Sequence, residues 1–223
     1  MSLLPSPLRR LGLALGLILL PAVLAADPAH WAGEIDALTR DDATHPPPRD
    51  GIVFVGSSSI KFWDSLAADF PGLPVIRRGF GGSEMADSVH YADRIVIAYH
   101  PRTVVVYAGE NDLWAGKAPE TVAADFAAFC AKVRGALPGV RLIYIAMKPS
   151  PSRWRMHEKF EQGNALIAAA CAADPQLTFV DVWPAMLDAR GQPRPELFRP
   201  DMLHMIPAGY AIWVRLLNPL LSR

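Results

Sequence analysis

The sequence predicts an α/β domain built on a parallel sheet, and three observations carry that expectation. An apolar run at 52–55, rich in branched and aromatic side chains, leads straight into Gly56 and the serines Ser57, Ser58 and Ser59, which reads as a buried strand ending in a sharp turn. Comparable runs recur and alternate with stretches of helical character, a pattern that demands parallel pairing through right-handed crossovers. Glycine-bearing polar stretches follow the first three runs, on the edge where an open α/β sheet places its ligand site.

In chain order, residues 1–25 read as a signal peptide. Arg9 and Arg10 precede an apolar run that is short for a bilayer, and Ala25 offers a small residue for cleavage, so the mature chain is expected to be exported, periplasmic or secreted, without a stable membrane anchor. Residues 26–50 read as an N-terminal segment, a short helix at 31–38 and then an extended linker marked by Pro46, Pro47 and Pro48. Residues 51–223 read as the main domain, with no internal repeat and no second-domain boundary. Within it, strands are expected at 52–55, 75–76, 103–107, 141–145 and 177–180, and helices at 60–70, 121–137, 155–173 and 207–217.

Composition narrows the function classes. Of 223 residues, 51% are hydrophobic and 20% charged, enough for one domain with a sizeable core. Lys and Arg balance Asp and Glu at 22 each, and without the leader's two arginines the chain is slightly acidic. No long basic stripe is present, which argues against nucleic acid as a partner. Cys130 and Cys171 fall at helical spacing with apolar neighbours and read as buried thiols rather than metal ligands, with a disulfide the lesser alternative.

The loops after the strands hold the parts of an acyl-transfer site. Ser57 to Ser59 follow the first strand, Gly79-Phe80-Gly81-Gly82 the second, and Gly109-Glu110-Asn111-Asp112 the third. Late in the chain, Asp201 precedes His204 by three positions, a spacing that lets a carboxylate reach one ring nitrogen while the other points outward. A serine hydroxyl, an imidazole and a carboxylate supply nucleophile, base and orienting group. The Gly82 N–H and the Asn111 amide supply oxyanion donors without adding charge. His30, His45, His90, His100 and His157 lack such a partner and read as surface or packing residues. Glu110 and Asp112 read as loop-forming groups, Asp112 as a helix or turn cap.

These blocks together resemble the GDSL or SGNH hydrolase superfamily, over nearly all of the chain from Gly56 to His204. The resemblance implies a flavodoxin-like three-layer sandwich of about five parallel strands and a serine esterase that needs neither metal nor cofactor. It implies Ser58 as nucleophile with Asp201 and His204, and Ser58, Gly82 and Asn111 as oxyanion donors. The sequence departs from the family pattern where Ser57 replaces aspartate, Arg77 replaces the asparagine often found before the glycine block, and Met205-Ile206 follows the histidine. Ile60 stands where the nucleophile elbow of the α/β-hydrolases has its second glycine.

The expected substrate is an acyl or acetyl ester, a lysophospholipid or a thioester, on a small molecule, glycan or lipid. Trp63, Trp114 and Trp154 are candidates to wall its pocket, and Arg153 or Lys148 to receive an anionic group. Two alternatives use the same residues. One is an acyltransferase to sugar hydroxyls with the same triad. The other is a nucleotide- or flavin-binding module whose serine-rich turn cradles phosphate.

Overall fold

The computed structural model describes residues 27–222, so the leader reading at 1–25 lies outside the described residues. Five parallel strands form one sheet: β1 Ile52–Gly56, β2 Val75–Gly79, β3 Thr103–Tyr107, β4 Arg141–Ile145 and β5 Leu177–Val180. Their order is β2-β1-β3-β4-β5, the flavodoxin-like arrangement, whose direction of winding reverses between β1 and β3. The helices are α1 Ala32–Thr39, α2 Ser58–Lys61, α3 Leu66–Asp69, α4 Met85–Ile95, α5 Glu110–Trp114, α6 Pro119–Ala136, α7 His157–Ala172, α8 Trp183–Met186 and α9 Pro207–Leu221.

Every residue of β1 and β3 is buried, which is why these strands read as continuous apolar runs rather than alternating ones. Each such aliphatic or aromatic side chain contributes roughly 1.5–3 kcal/mol on burial, before the entropy of ordering it. Helices α4, α6 and α7 pack side by side on one face, with Phe126 of α6 against Tyr144 of β4. On the other face Trp213 of α9 meets Trp63 and Tyr107. Among the described residues, no helix is long and apolar enough to cross a membrane.

Three elements differ from the sequence expectation. The helix expected at 60–70 is two short helices, because Trp63 turns inward between Phe54 and Trp213 and is fully buried. The Asp69 carboxylate fixes that break by accepting from Trp63 Nε1 at 2.6 Å and Ser65 Oγ at 2.7 Å. Helix α4 was not read from the sequence, since its capping box uses carboxylates at both ends, Glu84 and Asp87. The extended linker is in part a 3₁₀ turn at Arg40–Ala43, and Asp42 pairs there with Arg78 of edge strand β2 at 2.7 Å.

The segment before β1 packs onto the domain. Ile35 is fully buried, Tyr91 Oη donates to the Pro28 carbonyl at 2.6 Å, and Trp31 meets the Phe80 ring edge-on. Cys130 and Cys171 are buried free thiols, and burial pushes them up to about 12 and about 11 respectively.

Candidate active site

The turn after β1 depends on Gly56, whose φ is +141° and whose absent Cβ would lie 1.9 Å from the Tyr107 carbonyl oxygen. Only glycine lets the chain leave the sheet so close to β3. The three serines then part company. Ser57 and Ser59 are buried while Ser58, the first residue of α2, is partly open. Ser57 occupies the N-cap position of α2 but makes no side-chain cap bond. Ser59 Oγ accepts from Lys148 Nζ at 3.2 Å.

Ser58 Oγ lies 3.0 Å from His204 Nε2, and His204 Nδ1 lies 2.7 Å from Asp201 Oδ2. A carboxylate only accepts, so Nδ1 carries the ring proton and Nε2 of the neutral ring accepts from the serine hydroxyl. Asp201 does not share a helical turn with His204; its Oδ1 accepts from the Leu203 and His204 amides, each at 2.9 Å. This side-chain turn, with Met202 at φ +56°, brings carboxylate and imidazole face to face. Partial burial pushes the Asp201 carboxyl up, but the bonds from the His204 ring and the two amides outweigh it and hold it down to about 2. Phe62 meets the imidazole edge-on at 4.9 Å and backs it.

Glycine also shapes the second loop. Gly82 has φ +86°, and a Cβ there would press on Trp31 at 3.3 Å. Its N–H makes no hydrogen bond among the described residues. The neighbouring Ser83 carbonyl accepts from Asn111 Nδ2 at 2.9 Å, which joins the glycine loop to α5. Asp112 is not a local cap. It is fully buried and accepts the Met85 amide at 3.0 Å, so it anchors the first turn of α4. Burial raises its carboxyl to about 6 against the pull of Lys117.

The expected pocket residues divide. Trp114 is exposed, with the Arg153 and Arg155 guanidinium groups 5.2 and 4.7 Å from its ring centroid, and Arg153 Nη2 donates to Asn111 Oδ1 at 2.9 Å. Trp154 stacks on His157 at 4.5 Å and touches Trp183, so its ring faces have packing partners. Trp63 belongs to the core. Lys148 is no anion receptor either. Its ammonium is enclosed by Ser59, Tyr107 and Glu110, at 2.8 Å from Glu110 Oε2. Burial pushes it below the usual lysine range, with Glu110 pulling the other way. No sequence pattern linked Lys148 to Glu110, which lie 38 positions apart. Of the other histidines, His30, His45, His90 and His100 are exposed and His157 packs on Trp154. Among the described residues, no group of three His, Cys, Asp or Glu is placed to hold a metal ion.

Comparison with known proteins gives the family and the fold. The human platelet-activating factor acetylhydrolase IB subunit alpha1 is 26% identical over 181 residues, covering 77% of this chain and 75% of its own. A GDSL-like lipase from Bacteroides thetaiotaomicron shares the fold at a TM-score of 0.67 and 23% identity, over 88% of this chain and 97% of that one. An acetylxylan esterase from Geobacillus stearothermophilus does so at 0.63 and 16%, over 79% and 96%. The GDSL-like Lipase/Acylhydrolase family matches residues 52–212, which include Ser58, Gly82, Asn111, Asp201 and His204. The chain therefore belongs to that family and is a carboxylic ester hydrolase.

Proposed function

We propose that the protein is exported and cleaves short acyl esters, acetyl esters foremost, through an acyl-enzyme on Ser58. The observation that carries this reading is the unbroken chain of hydrogen bonds from Asp201 through His204 to the Ser58 hydroxyl. In the reaction, Nε2 takes the Oγ proton as Oγ attacks the ester carbonyl, and Asp201 holds the ring and stabilises its charge. The N–H groups of Ser58 and Gly82 and the Asn111 amide receive the oxyanion. Its collapse expels the alcohol, which takes the proton from Nε2, and water then repeats the sequence to release the acid. The phosphate-cradle alternative gives Asp201 and His204 nothing to do.

The acetyl preference is supported by the names of the human relative and of the acetylxylan esterase that shares the fold. Export is supported by Arg9, Arg10 and the apolar run that follows them. Rates on p-nitrophenyl esters of increasing acyl length, beside acetylated xylan fragments and a lysophospholipid, are expected to be highest for acetyl. Faster cleavage of a long-chain ester or the lysophospholipid would overturn the acetyl assignment.

The rate is expected to fall on acidification, because a protonated Nε2 cannot accept the serine proton, while Asp201 stays ionised down to about pH 2. Asp201→Asn retains an oxygen for the Leu203 and His204 amides, so the turn survives. It loses the acceptor that fixes the ring tautomer, and kcat should drop roughly 10²–10⁴-fold. A variant as fast as the parent would reduce Asp201 to shaping the turn.

A further inference from the structure

We propose that Arg153 is a positioning residue that locks and polarises the amide of Asn111, an inference that rests on reading Asn111 as an oxyanion donor. The lock follows from two contacts of opposite character. Asn111 Nδ2 donates to the Ser83 carbonyl at 2.9 Å, and Asn111 Oδ1 accepts from Arg153 Nη2 at 2.9 Å. A carbonyl only accepts and a guanidinium only donates, so turning the amide over would set like against like at both ends. One N–H of the amide is committed to Ser83, next to Gly82, which leaves the second free on the same nitrogen. An oxyanion donor needs that arrangement in place before the reaction, because reorienting during it costs rate.

Arg153 is itself held. Its guanidinium lies over Trp114, three residues beyond Asn111, so one short helix carries both the amide and the surface on which its partner rests. The backbone beside it is tied to the histidine turn, since the Ser152 N–H donates to the Met202 carbonyl at 3.1 Å. Arg153 makes no ion pair with a carboxylate among the described residues, so no carboxylate neutralises it beside the amide. That charge draws electron density toward Oδ1 and makes Nδ2–H a stronger donor. Lysine offers neither the planar fork nor the stacking face. The arrangement gives Arg153 a task other than the substrate contact expected from the sequence.

The test uses p-nitrophenyl acetate, an uncharged ester with nothing for a cation to bind, and separates kcat from KM. Asn111→Ala is expected to lower kcat roughly 10²-fold. Arg153→Met and Arg153→Gln should each lower kcat roughly 10-fold with KM within about twofold, Arg153→Lys should recover little, and added methylguanidine should restore part of the rate to Arg153→Ala. In the Asn111→Ala background, Arg153→Met should cost nothing more. Circular dichroism and thermal melting identify any variant that fails to fold, and the Gln variant retains a polar side chain for that case. The inference is overturned if Arg153 variants raise KM at constant kcat, or if the two losses multiply in the double variant. A fully active Asn111→Ala would instead remove the oxyanion reading on which it rests.

Discussion

Ser58→Ala is expected to lower turnover by at least about 10³-fold and to abolish labelling by an organophosphate, with the fold intact. Of the three adjacent hydroxyls, Ser58 alone meets the imidazole, and removing Oγ deletes the atom proposed to bond to the acyl carbon. The partly open position leaves no cavity of consequence behind. Ser57→Ala should leave labelling unchanged, since that side chain makes no cap bond. Ser59→Ala should also keep its label but lose roughly 1–3 kcal/mol of stability, because one donor of a buried ammonium is then unsatisfied. Peptide mapping of the adduct decides the matter. A tag on Ser57 or Ser59 would displace Ser58 from the mechanism.

The largest effect on stability is expected at Lys148. Its ammonium is almost fully buried, and its three donors meet Ser59 Oγ, Tyr107 Oη and Glu110 Oε2 at 3.2, 3.1 and 2.8 Å. The Tyr107 hydroxyl donates to the same carboxylate oxygen. Lys148→Met keeps the apolar stem and removes the charge, which strands the Glu110 carboxylate in a medium that solvates it poorly. Breaking one side of such a pair costs roughly 3–5 kcal/mol, or about 10 °C in melting temperature for a domain of this size. Replacing both members, Lys148→Met with Glu110→Leu, should recover most of the loss, since no lone charge remains. Urea unfolding of the single and double variants measures this. A single variant as stable as the parent would mean that the pair is not ionised in the folded protein.

The sequence made the sheet legible because β1, β3 and β4 are buried apolar runs between helical segments, and composition alone separates those from half-exposed strands. Ser58, Gly82, Asn111, Asp201 and His204 were legible because each sits in a short motif at the end of a strand or in a tight turn, where local chemistry and spacing carry the signal. Lys148, Glu110 and the bond from Arg153 to Asn111 were not, since a pair 38 or 42 residues apart leaves no local pattern. Trp63 shows the converse. A helix-like run was broken because a single large ring fits only inside the core.

The span of the serine–histidine bond sets when chemistry becomes available during synthesis. Ser58 and His204 are 146 positions apart, and the sheet between them includes strands that follow Ser58 in the chain. The turn bearing the hydroxyl leaves the ribosome long before its base, and contacts of such separation form late and slowly. A partly made chain thus carries the nucleophile without the means to activate it, so esters in the compartment of synthesis meet an inert serine until the last turn has docked.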